Sequence, residues 1–288
     1  LSNWLVFGAS GTVGLSFLRF LRAIGEVAHG ASRNGADYSI DIRDSKSLFK
    51  VFNLLKPDVV VNCAALVSLI ECENDPSHAE SINSTAVISL VEACSAFNAT
   101  LIQISTDHFY NGDKRALHNE RHELLILNEY ARTKRLGEIH ASKYDKSLII
   151  RTNVTGIRRD LLKPTFFEWV YNAILNDKEL SLFTDFYTST IDADSLAFMC
   201  YKLYEKGIYG LLNVSSSMCL SKKEFALLVA NRLKVDMFCS RDTSVSELKP
   251  IRANSLGLDC SYAESVLGLK MPSPSEIIDR LCLAILDN

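Results

Sequence analysis

The hydrophobic pattern of the first 155 residues alternates between short apolar runs and longer amphipathic stretches. The short runs predict strands at Trp4–Phe7, Glu26–Ser32, Ser39–Ile42, Val59–Ala65, Leu101–Ser105 and Leu148–Thr152. The amphipathic stretches predict helices over Gly14–Ile24, Ser45–Leu55, Asp75–Phe97 and Glu129–Lys143. Strands that alternate with helices at this spacing indicate right-handed crossovers and a Rossmann-type, doubly wound parallel sheet of the α/β class.

The alternation becomes looser beyond about residue 153. Helices are predicted over Pro164–Asn176, Asp192–Lys206, Ser221–Leu233 and Ser275–Leu286, with strands at Leu180–Phe183 and Leu211–Val214. We therefore predict a Rossmann domain over residues 1–155. We predict a smaller α/β lobe over residues 156–288 that binds the substrate, with some of its elements returning to the main sheet.

Composition narrows the class of protein. The chain of 288 residues carries a formal net charge of −3, with lysine and arginine scattered along it, which argues against a nucleic-acid partner. No apolar run is long enough to cross a bilayer, so we expect no membrane association. The eight cysteines form no C-x-x-C pair, which favours reduced thiols over disulfides or a metal site. Since LSNWLVFG also lacks the features of a secretory signal, we expect a cytoplasmic protein.

The stretch LVFGASGTVG leads from the first predicted strand into the first predicted helix through Gly8, Gly11 and Gly14. Backbone N–H groups at a helix N-terminus, together with the helix dipole, favour a pyrophosphate, and the missing side chains let it approach. Glycines also occur in tight strand–helix connections that bind nothing. The evidence for a binding turn is therefore the position of these glycines between the first strand and an amphipathic helix. We interpret this stretch as a dinucleotide-binding turn.

The end of the second predicted strand decides which dinucleotide fits. It reads HGASRNGAD, with Ser32 and Arg33 and no carboxylate before Asp37. An acidic residue here would accept a hydrogen bond from a ribose 2′-hydroxyl, whereas an arginine pairs with a 2′-phosphate. The sequence therefore favours NADPH over NADH, unless Arg33 is a surface arginine without a role. Asp41 and Ile42, which end the third predicted strand, can meet the adenine edge, and Asp41 can equally cap the next helix.

Candidate catalytic side chains follow the strand that ends LIQISTD. This strand brings Ser105, Thr106 and Asp107 to the carboxyl edge of the sheet, where folds of this type bind ligands. In the following helix, YARTK places Tyr130 and Lys134 four residues apart and on one face. A carbonyl that accepts hydride also needs a proton, and a nearby ammonium brings the phenol pKa from about 10 towards neutrality.

Other interpretations of this pair are open. A Tyr–Lys pair on an amphipathic helix can simply be a surface pair, and Tyr110 and Lys114 share the same spacing. That second pair spans Asn111-Gly112-Asp113, a turn signal, so its side chains are not expected to align on a helix. A hydroxyl from the strand end, such as that of Thr106, can hold the substrate oxygen beside the phenol of Tyr130.

The motifs GASGTVG, NCAA, STD and YARTK, in this order, resemble the extended short-chain dehydrogenase/reductases. Within that family, LKPDVVVNCAA, ISTDHFYNGD and YARTKRLGE are similar to the dTDP-4-dehydrorhamnose reductases and their sugar-nucleotide relatives. The likeness continues through RANSLGLDCSYAESVLGL near the C-terminus. It implies an oxidoreductase of polysaccharide biosynthesis that uses NADPH to reduce a 4-keto group on a nucleotide-linked deoxysugar.

The resemblance also implies roles for single residues. Tyr130 would donate the proton, Lys134 would tune its pKa and bind the cofactor ribose, and Thr106 would hold the carbonyl. Further cofactor contacts are implied for Gly8, Ser10, Gly11, Thr12, Val13, Gly14, Cys63, Ala64 and Ala65.

Substrate contacts are implied for Asp107, beside the sugar, and for Asn153 in the sugar pocket, while Arg252 can reach a diphosphate. Asn153 begins Asn-Val-Thr where the relatives usually have Trp-Val-Tyr, and Asp185–Ile191 departs from the family segment Asp-Gln-x-Gly-x-Pro-Thr. Both segments shape the sugar pocket in the family, so the sugar and the nucleotide base stay open.

Two other functions stay open. The first is an epimerase that retains NAD. The second is a non-catalytic regulatory subunit that resembles the beta subunit of methionine adenosyltransferase. A dehydratase is disfavoured, because related dehydratases place a glutamate directly after Thr-Asp, where this chain has His108. A homodimer formed through helices is expected only by analogy with the fold class.

Overall fold

The structure is a computed structural model that describes residues 1–160, 162–236 and 240–286. Its internal contacts divide the chain into two compact units that interleave along the sequence. The first unit comprises Leu1–Thr106, Ile126–Arg151 and Ala197–Leu212. The second unit comprises Asp107–Leu125, Thr152–Leu196 and Asn213–Asn288. The predicted domain boundary at residue 155 stays a prediction, since the units defined by contacts do not divide the chain at one point.

Strands and helices are numbered in chain order. The strands are β1 (Asn3–Phe7), β2 (Val27–Ser32), β3 (Tyr38–Ser39), β4 (Val59–Asn62), β5 (Thr100–Ile104), β6 (Ser147–Arg151), β7 (Asn153–Thr155), β8 (Leu180–Phe183), β9 (Tyr187–Thr188), β10 (Thr190–Asp192), β11 (Gly210–Asn213), β12 (Leu220–Ser221), β13 (Ser240–Thr243) and β14 (Ser255–Leu256). The α-helices are α1 (Thr12–Ala23), α2 (Ser45–Leu55), α3 (Leu69–Asn74), α4 (Pro76–Glu80), α5 (Ala86–Phe97), α6 (Glu129–Ala141), α7 (Phe166–Leu175), α8 (Ala193–Glu205), α9 (Lys222–Leu233), α10 (Ser261–Leu267) and α11 (Pro274–Leu286).

A seven-stranded sheet in the order β11-β6-β5-β4-β1-β2-β3 forms the centre of the fold. Strand β1 pairs in parallel with both β2 and β4, and the pairs β2–β3, β4–β5 and β5–β6 are also parallel. The strand order therefore reverses between β1 and β4, and ligands of such sheets bind in the crevice outside the carboxyl ends at this point. The predicted doubly wound α/β fold is confirmed.

The first unit encloses a core built on both faces of these strands. Strand β4 is buried along its whole length, as expected for a parallel strand covered by helices. The ring of Trp4, in β1, contacts Tyr201 and Tyr204 with centroid separations of 5.8 and 4.9 Å. These contacts join α8, from the second half of the sequence, to the sheet of the first unit. No helix among the described residues has the length and hydropathy needed to span a membrane.

Two predicted strands are shorter in the structure. Strand β3 contains only Tyr38 and Ser39, and β4 ends at Asn62 rather than at Ala65. The side chain of Asn62 accepts a hydrogen bond from the backbone of Ala64 (3.1 Å) and donates one to Gln103 (2.9 Å). An asparagine that bonds the backbone two residues on forms a turn, so the chain leaves the sheet here despite its apolar sequence.

The predicted helix Asp75–Phe97 is interrupted. It consists of α4, a π-helical turn over Ser81–Thr85 and α5. Within the π turn, the buried side chain of Asn83 bonds the backbone of Leu66 in both directions (2.8 and 3.0 Å) and donates to Thr133 of α6 (3.1 Å). A π turn contains one extra residue, which the spacing of apolar residues along the sequence does not reveal. Such turns are frequent at functional sites.

Helix α6 lies directly against this π turn. A Cβ atom placed on Gly137 would overlap the backbone oxygen of Asn83. Gly137 therefore permits the close approach, and Thr133, with no exposed surface, supplies the hydrogen bond one turn earlier. Together they fix the helix that carries Tyr130 and Lys134.

The second unit contains short strands that the sequence pattern does not predict. Strands β7 and β10 pair in parallel, β9 pairs with β12 and β14, and β8 pairs with β13. Several of them have two or three residues, too few for an alternating pattern. Helices α7 and α9 begin with capping boxes, Thr165 with Glu168 and Ser221 with Glu224. Each capping box satisfies backbone N–H groups at the start of its helix and so fixes the residue at which the helix begins.

The described cysteines are free thiols. Six are buried and Cys63 is half-buried, while Cys239 lies outside the described residues. Burial raises the pKa of thiols such as Cys72, to about 11, so they stay protonated at neutral pH.

A Gly137→Ala substitution tests the packing of α6. In an open helix this change stabilises a protein by about 0.5–1 kcal/mol, but here the added methyl group meets the backbone of Asn83. We expect the free energy of unfolding to fall by roughly 1–3 kcal/mol, the usual effect of overpacking. Urea unfolding followed by circular dichroism measures the change, and an unchanged or higher midpoint would show that α6 is not held at this contact.

Candidate active site

The glycine turn brings the backbone of two strand ends into contact. Gly8 has φ = 73°, a region that side chains disfavour, and a Cβ on it would lie 2.7 Å from the backbone nitrogen of Ala64. A Cβ on Gly14 would overlap the backbone oxygen of Gly8. Gly11 precedes α1 and provides no side-chain cap. The turn therefore provides open space next to the N-terminus of α1, which is what a bound pyrophosphate requires.

A cavity of about 360 Å³ extends along the carboxyl ends of the strands of the first unit. Its lining includes these predicted cofactor contacts: Gly8, Ser10, Gly11, Ser32, Arg33, Asp41, Ile42, Cys63, Ala64 and Ala65. Thr12, Val13 and Gly14 form the first turn of α1 just beyond it. The shape of the glycine turn and the mixture of backbone, apolar and cationic groups fit a dinucleotide. The lining residues come from the ends of four strands, β1 to β4.

The carboxylate nearest to the second strand is engaged outside this cavity. Asp37 accepts hydrogen bonds from the backbone of Gly30 (2.7 Å) and from the guanidinium of Arg22 (2.6 Å). Ser32, by contrast, lines the cavity, and its hydroxyl donates to that of Ser10 (3.0 Å). Arg33 is exposed at the same place. This end of the cavity can receive an anionic group, such as the 2′-phosphate of NADPH, more readily than a ribose diol.

Asp41 lines the cavity and does not cap α2. The cap is Asp44, which accepts from the backbone of Lys46 and Ser47. Asp41 instead binds both Nε and Nη2 of Arg43, and the hydrogen bonds from Arg43 lower the pKa of the Asp41 carboxyl to about 2. Arg43 also lines the cavity, although the sequence did not single it out.

Tyr130 and Lys134 lie on α6 and are both buried. Nζ of Lys134 donates to the backbone oxygen of Ile104 at the end of β5 (2.7 Å). Burial lowers the pKa of Lys134 to about 8, although the carboxylate of Glu138 opposes this shift. Thr106, two residues beyond β5, is also buried. The alternative pair is excluded as a helical pair: residues 110–114 are not helical, and Tyr110 stacks on His118 at 4.2 Å.

A buried ion pair anchors the same helix to the sheet. Glu138 and Arg151 are 2 and 1% exposed, and Nη2 of Arg151 lies 2.8 Å from Oε2 of Glu138. Ser105 donates to Oε1 of Glu138 (2.7 Å), and Arg135 donates to Oε2 (2.7 Å). Burial alone would raise the pKa of Glu138, but the hydrogen bonds and charge of Arg151, with those of its other partners, lower it below its usual value. Ser105 therefore supports the helix and is not available to a substrate.

A polar cluster of the second unit contains the predicted substrate contacts. Asn153 donates to Oδ2 of the buried Asp107 (2.8 Å) and accepts from Thr190 (2.8 Å), its partner across the β7–β10 pair. Both ends of the Asn153 side chain are thus used inside the protein. Its role here is to hold the carboxylate of Asp107 in place.

Two cations face the same cluster. Nζ of Lys222, the first residue of α9, lies 4.5 Å from the ring centroid of Phe166 and 5.6 Å from that of Phe186. Burial lowers its pKa to about 8, with the charge of Asp107 opposing the shift. Nε of Arg252 is buried and has no hydrogen-bond partner among the described residues.

His108 is within electrostatic range of both cations and is a neutral side chain. Burial lowers its pKa to about 3, and the charges of Arg252 and Lys222 act in the same direction. The charges of Lys222 and Arg252 together exceed the one negative charge of Asp107, and the neutral imidazole adds none, so the cluster is net positive and fits a diphosphate.

The family model for the RmlD substrate binding domain matches residues 2–272. The chain belongs to this family. The family predicted from the sequence motifs is thereby confirmed.

Relatives and solved structures agree with this membership. A probable low-salt glycan biosynthesis reductase of Haloferax volcanii is 27% identical over 98% of both chains. A dTDP-4-dehydrorhamnose reductase of Escherichia coli is 31% identical over 52% of this chain and 50% of the relative. The crystal structure of a Bacillus anthracis dTDP-4-dehydrorhamnose reductase in complex with NADP has a TM-score of 0.88 at 22% identity, covering 98% of each chain. A hypothetical dTDP-4-dehydrorhamnose reductase from Sulfolobus tokodaii has a TM-score of 0.81 at 28% identity, covering 94% of this chain and 97% of the other.

The structure also brings residues to these sites that sequence reasoning missed. The further residues of the cofactor cavity are Phe7, Ala31, Asn34, Ile40, Arg43, Leu66, Glu71, His78 and Ile82. Lys222 is the main addition in the second unit. Lys222 and Lys223 are neighbours in the polar run Ser221 to Glu224, which is typical of the solvent-exposed start of a helix. The sequence therefore gives no sign of how the two lysines differ.

We expect two lysines to titrate far below the usual range, because burial lowers the pKa of both Lys134 and Lys222 to about 8. Each amine is therefore charged below pH 8 and loses its charge above it. NMR of ¹⁵N- or ¹³C-labelled lysine side chains should show two resonances with midpoints near pH 8. Lys134→Met should remove one and Lys222→Met the other, whereas Lys223→Met should remove neither; retention of both signals in the first two variants would contradict the assignment.

Proposed function

We propose that this member of the RmlD substrate binding domain family uses NADPH to reduce the 4-keto group of a nucleotide-linked deoxysugar. The observation that carries the proposal is the buried Tyr130–Lys134 pair on α6, with Lys134 held against the end of β5. The names of the relatives, a glycan biosynthesis reductase and dTDP-4-dehydrorhamnose reductases, support this substrate class. A cytoplasmic location and a homodimer stay predictions from the sequence.

The cofactor is assigned to the cavity of the first unit. The glycine turn and the N-terminus of α1 would hold its pyrophosphate, Asp41 and Ile42 its adenine, and Ser32 and Arg33 its 2′-phosphate. When bound, NADPH supplies the hydride that the carbonyl carbon accepts. Cys63 to Ala65 line the cavity on the side of β4, where the chain turns away from the sheet at Asn62.

The proton is assigned to the phenol of Tyr130. A phenol with its ordinary pKa of about 10 gives up its proton slowly at neutral pH. A positive charge on Lys134 favours the phenolate and so makes the hydroxyl a better acid. Thr106 would hold the substrate oxygen by a hydrogen bond, which stabilises the charge that develops on it. Since the Lys134 charge is half lost near pH 8, this assistance weakens as the pH rises through that value.

The substrate is assigned to the cluster of the second unit. Lys222 and Arg252, whose Nε has no partner among the described residues, would bind the diphosphate. Because His108 is neutral, the positive charge of the site comes from these two side chains. Asp107, held by Asn153, would accept a hydrogen bond from a sugar hydroxyl. Phe166 and Phe186 offer flat apolar surface next to the ammonium of Lys222.

NADPH oxidation in the presence of dTDP-, UDP- and GDP-linked 4-keto-6-deoxysugars tests the proposed activity. We expect turnover with at least one of them. Tyr130→Phe removes the hydroxyl that donates the proton and should lower kcat by about 10²–10⁴-fold while cofactor binding stays intact. The decrease in absorbance at 340 nm measures the rate.

Three results would contradict the proposal. Full activity in Tyr130→Phe would show that another group supplies the proton. A purified protein that carries tightly bound NAD and interconverts sugar nucleotides without consuming NADPH would be an epimerase. A protein that turns over no keto sugar and copurifies with another protein would be a regulatory subunit.

Lys222→Met tests the diphosphate site with Lys223→Met as a matched control. The two lysines are neighbours, but Lys223 pairs with Asp242 (2.6 Å). We expect Lys222→Met to raise KM for the sugar nucleotide about tenfold with a small change in kcat, the pattern of lost ground-state binding. Lys223→Met should change neither. Equal effects of the two substitutions would mean that Lys222 acts only through the net charge of the protein.

A further inference from the structure

The cofactor cavity contains the carboxylate of Asp41 close to its proposed phosphate site. Asp41 lines the same cavity as Ser32 and Arg33, and the segment before it pairs with the end of β2, where the backbone nitrogen of Ile40 donates to the oxygen of Ser32 (2.9 Å). The positive charge of Arg33 contributes to the low pKa of Asp41, so the two side chains are within electrostatic range of each other. A phosphate bound at Arg33 would therefore also be within range of Asp41.

An unpaired carboxylate at this position would oppose a 2′-phosphate. Phosphate monoesters carry a charge of about −1.5 to −2 at neutral pH, so like-charge repulsion would weaken the binding of NADPH. NADH lacks this charge, and its ribose hydroxyls donate hydrogen bonds that a carboxylate accepts. On this basis, Asp41 alone would favour the wrong cofactor for the proposed reaction.

Arg43 cancels this charge inside the cavity. Its Nε lies 3.0 and 3.1 Å from the two oxygens of Asp41, and its Nη2 lies 2.5 Å from Oδ2. The backbone nitrogen of Arg43 also donates to Oδ1 (3.0 Å), so the pair is held by side chain and backbone together. Such a bidentate pair of an arginine with a carboxylate has a fixed geometry.

The remaining side of the guanidinium is occupied as well. Nη1 of Arg43 lies 3.3 Å from Nδ1 of His78, which belongs to α4 and also lines the cavity. For a hydrogen bond at this distance His78 must accept, because an arginine has no acceptor. The guanidinium of Arg43 is thus held between two neighbours, Asp41 and His78.

We propose that Arg43 is a specificity-determining residue for a 2′-phosphorylated cofactor and that it acts by neutralising Asp41, not by binding the phosphate. Arg33 binds the phosphate, and Arg43 removes the repulsion that would otherwise prevent it. This inference rests on the proposed function, since it takes NADPH to be the cofactor. It makes Arg43 a positioning and electrostatic residue within the cavity.

Isothermal titration calorimetry on Arg43→Ala, Asp41→Asn and the double variant tests the proposal without any substrate. For Arg43→Ala, we expect Kd for NADPH to rise about tenfold at low salt while Kd for NADH is unchanged or falls. The double variant should recover the preference of the unmodified protein, because the carboxylate of Asp41 is no longer present to repel the phosphate. Asp41→Asn alone should keep or increase the preference for NADPH.

Two controls separate this effect from others. Lys50→Ala removes one positive charge from the exposed surface of α2, outside the cavity lining, and should leave the ratio of the two Kd values unchanged. At about 0.5 M salt the effect of Arg43→Ala should shrink, because exposed charges are screened. Melting temperatures of all variants check that each is folded at the temperature of the titration.

The outcomes are distinct. A tenfold loss of NADPH affinity relative to NADH that persists in the double variant would mean that Arg43 itself binds the phosphate, and would overturn the proposal. An unchanged ratio of Kd values in Arg43→Ala would overturn it too, while leaving NADPH as the cofactor. If the unmodified protein binds NADH more tightly than NADPH, the cofactor assignment of the proposed function fails before Arg43 is considered.

Discussion

The position of helix α6, which carries Tyr130 and Lys134, depends on the buried carboxylate of Glu138. Glu138 binds the guanidinium of Arg151 at the end of β6 and the hydroxyl of Ser105 just beyond β5, so one side chain of α6 is tied to two neighbouring strand ends. A buried ion pair gives little net stability, but the loss of one partner leaves the other uncompensated, at a cost of roughly 3–5 kcal/mol. The network therefore matters mainly because it permits one position of the helix. The residue that precedes Glu138, Gly137, lets the backbone of the π turn approach α6.

This anchoring explains how Lys134 can be buried at all. Its ammonium has a backbone acceptor at the end of β5, and Glu138 lies one turn further along α6 as a nearby negative charge. Burial still lowers its pKa to about 8, which leaves the amine charged at neutral pH but close to its titration range. A charge held in a low dielectric acts strongly on its neighbours, so a lysine in this state can influence the acidity of a phenol on the same helical face.

The two units show different uses of charge. In the first unit the cations of the cofactor cavity lie at its exposed end, and one of them is paired with the carboxylate of Asp41. In the second unit Lys222 and Arg252 have lost much of their hydration, and aromatic rings lie beside Lys222. A desolvated cation gains more from an anionic ligand than a solvated one does. We therefore expect Lys222 and Arg252 to contribute to the binding of the substrate and not only to the rate of its approach.

Sequence reasoning predicted the features that depend on local pattern. The strands and helices of the sheet follow from apolar periodicity, and the glycine turn follows from its place between β1 and α1. The choice of Tyr130 over Tyr110 also followed from local signals, since a turn sequence separates Tyr110 from its matching lysine.

The features that the sequence did not reveal depend on contacts between distant segments. The π turn needs Asn83 to bond Leu66 and Thr133. Arg43 and His78 meet across 35 residues, and Asn153 turned out to support Asp107 through a pairing of two short strands. Lys222 lies beside the rings of Phe166 and Phe186, whereas Lys223 pairs with Asp242, and neither contact can be read from the sequence.

Transfer of a label from the cofactor to the sugar tests the central claim most directly. The protein is incubated with NADPH that carries deuterium at the transferred position and, in separate reactions, with dTDP-, UDP- and GDP-linked 4-keto-6-deoxyhexoses, and each sugar nucleotide is analysed by mass spectrometry. The account predicts, with at least one of these substrates, a product that gains one deuterium for each NADPH consumed, with the label on the carbon that bore the ketone. Recovery of every sugar nucleotide unlabelled, whether unchanged or epimerised, with no NADPH consumed would contradict it.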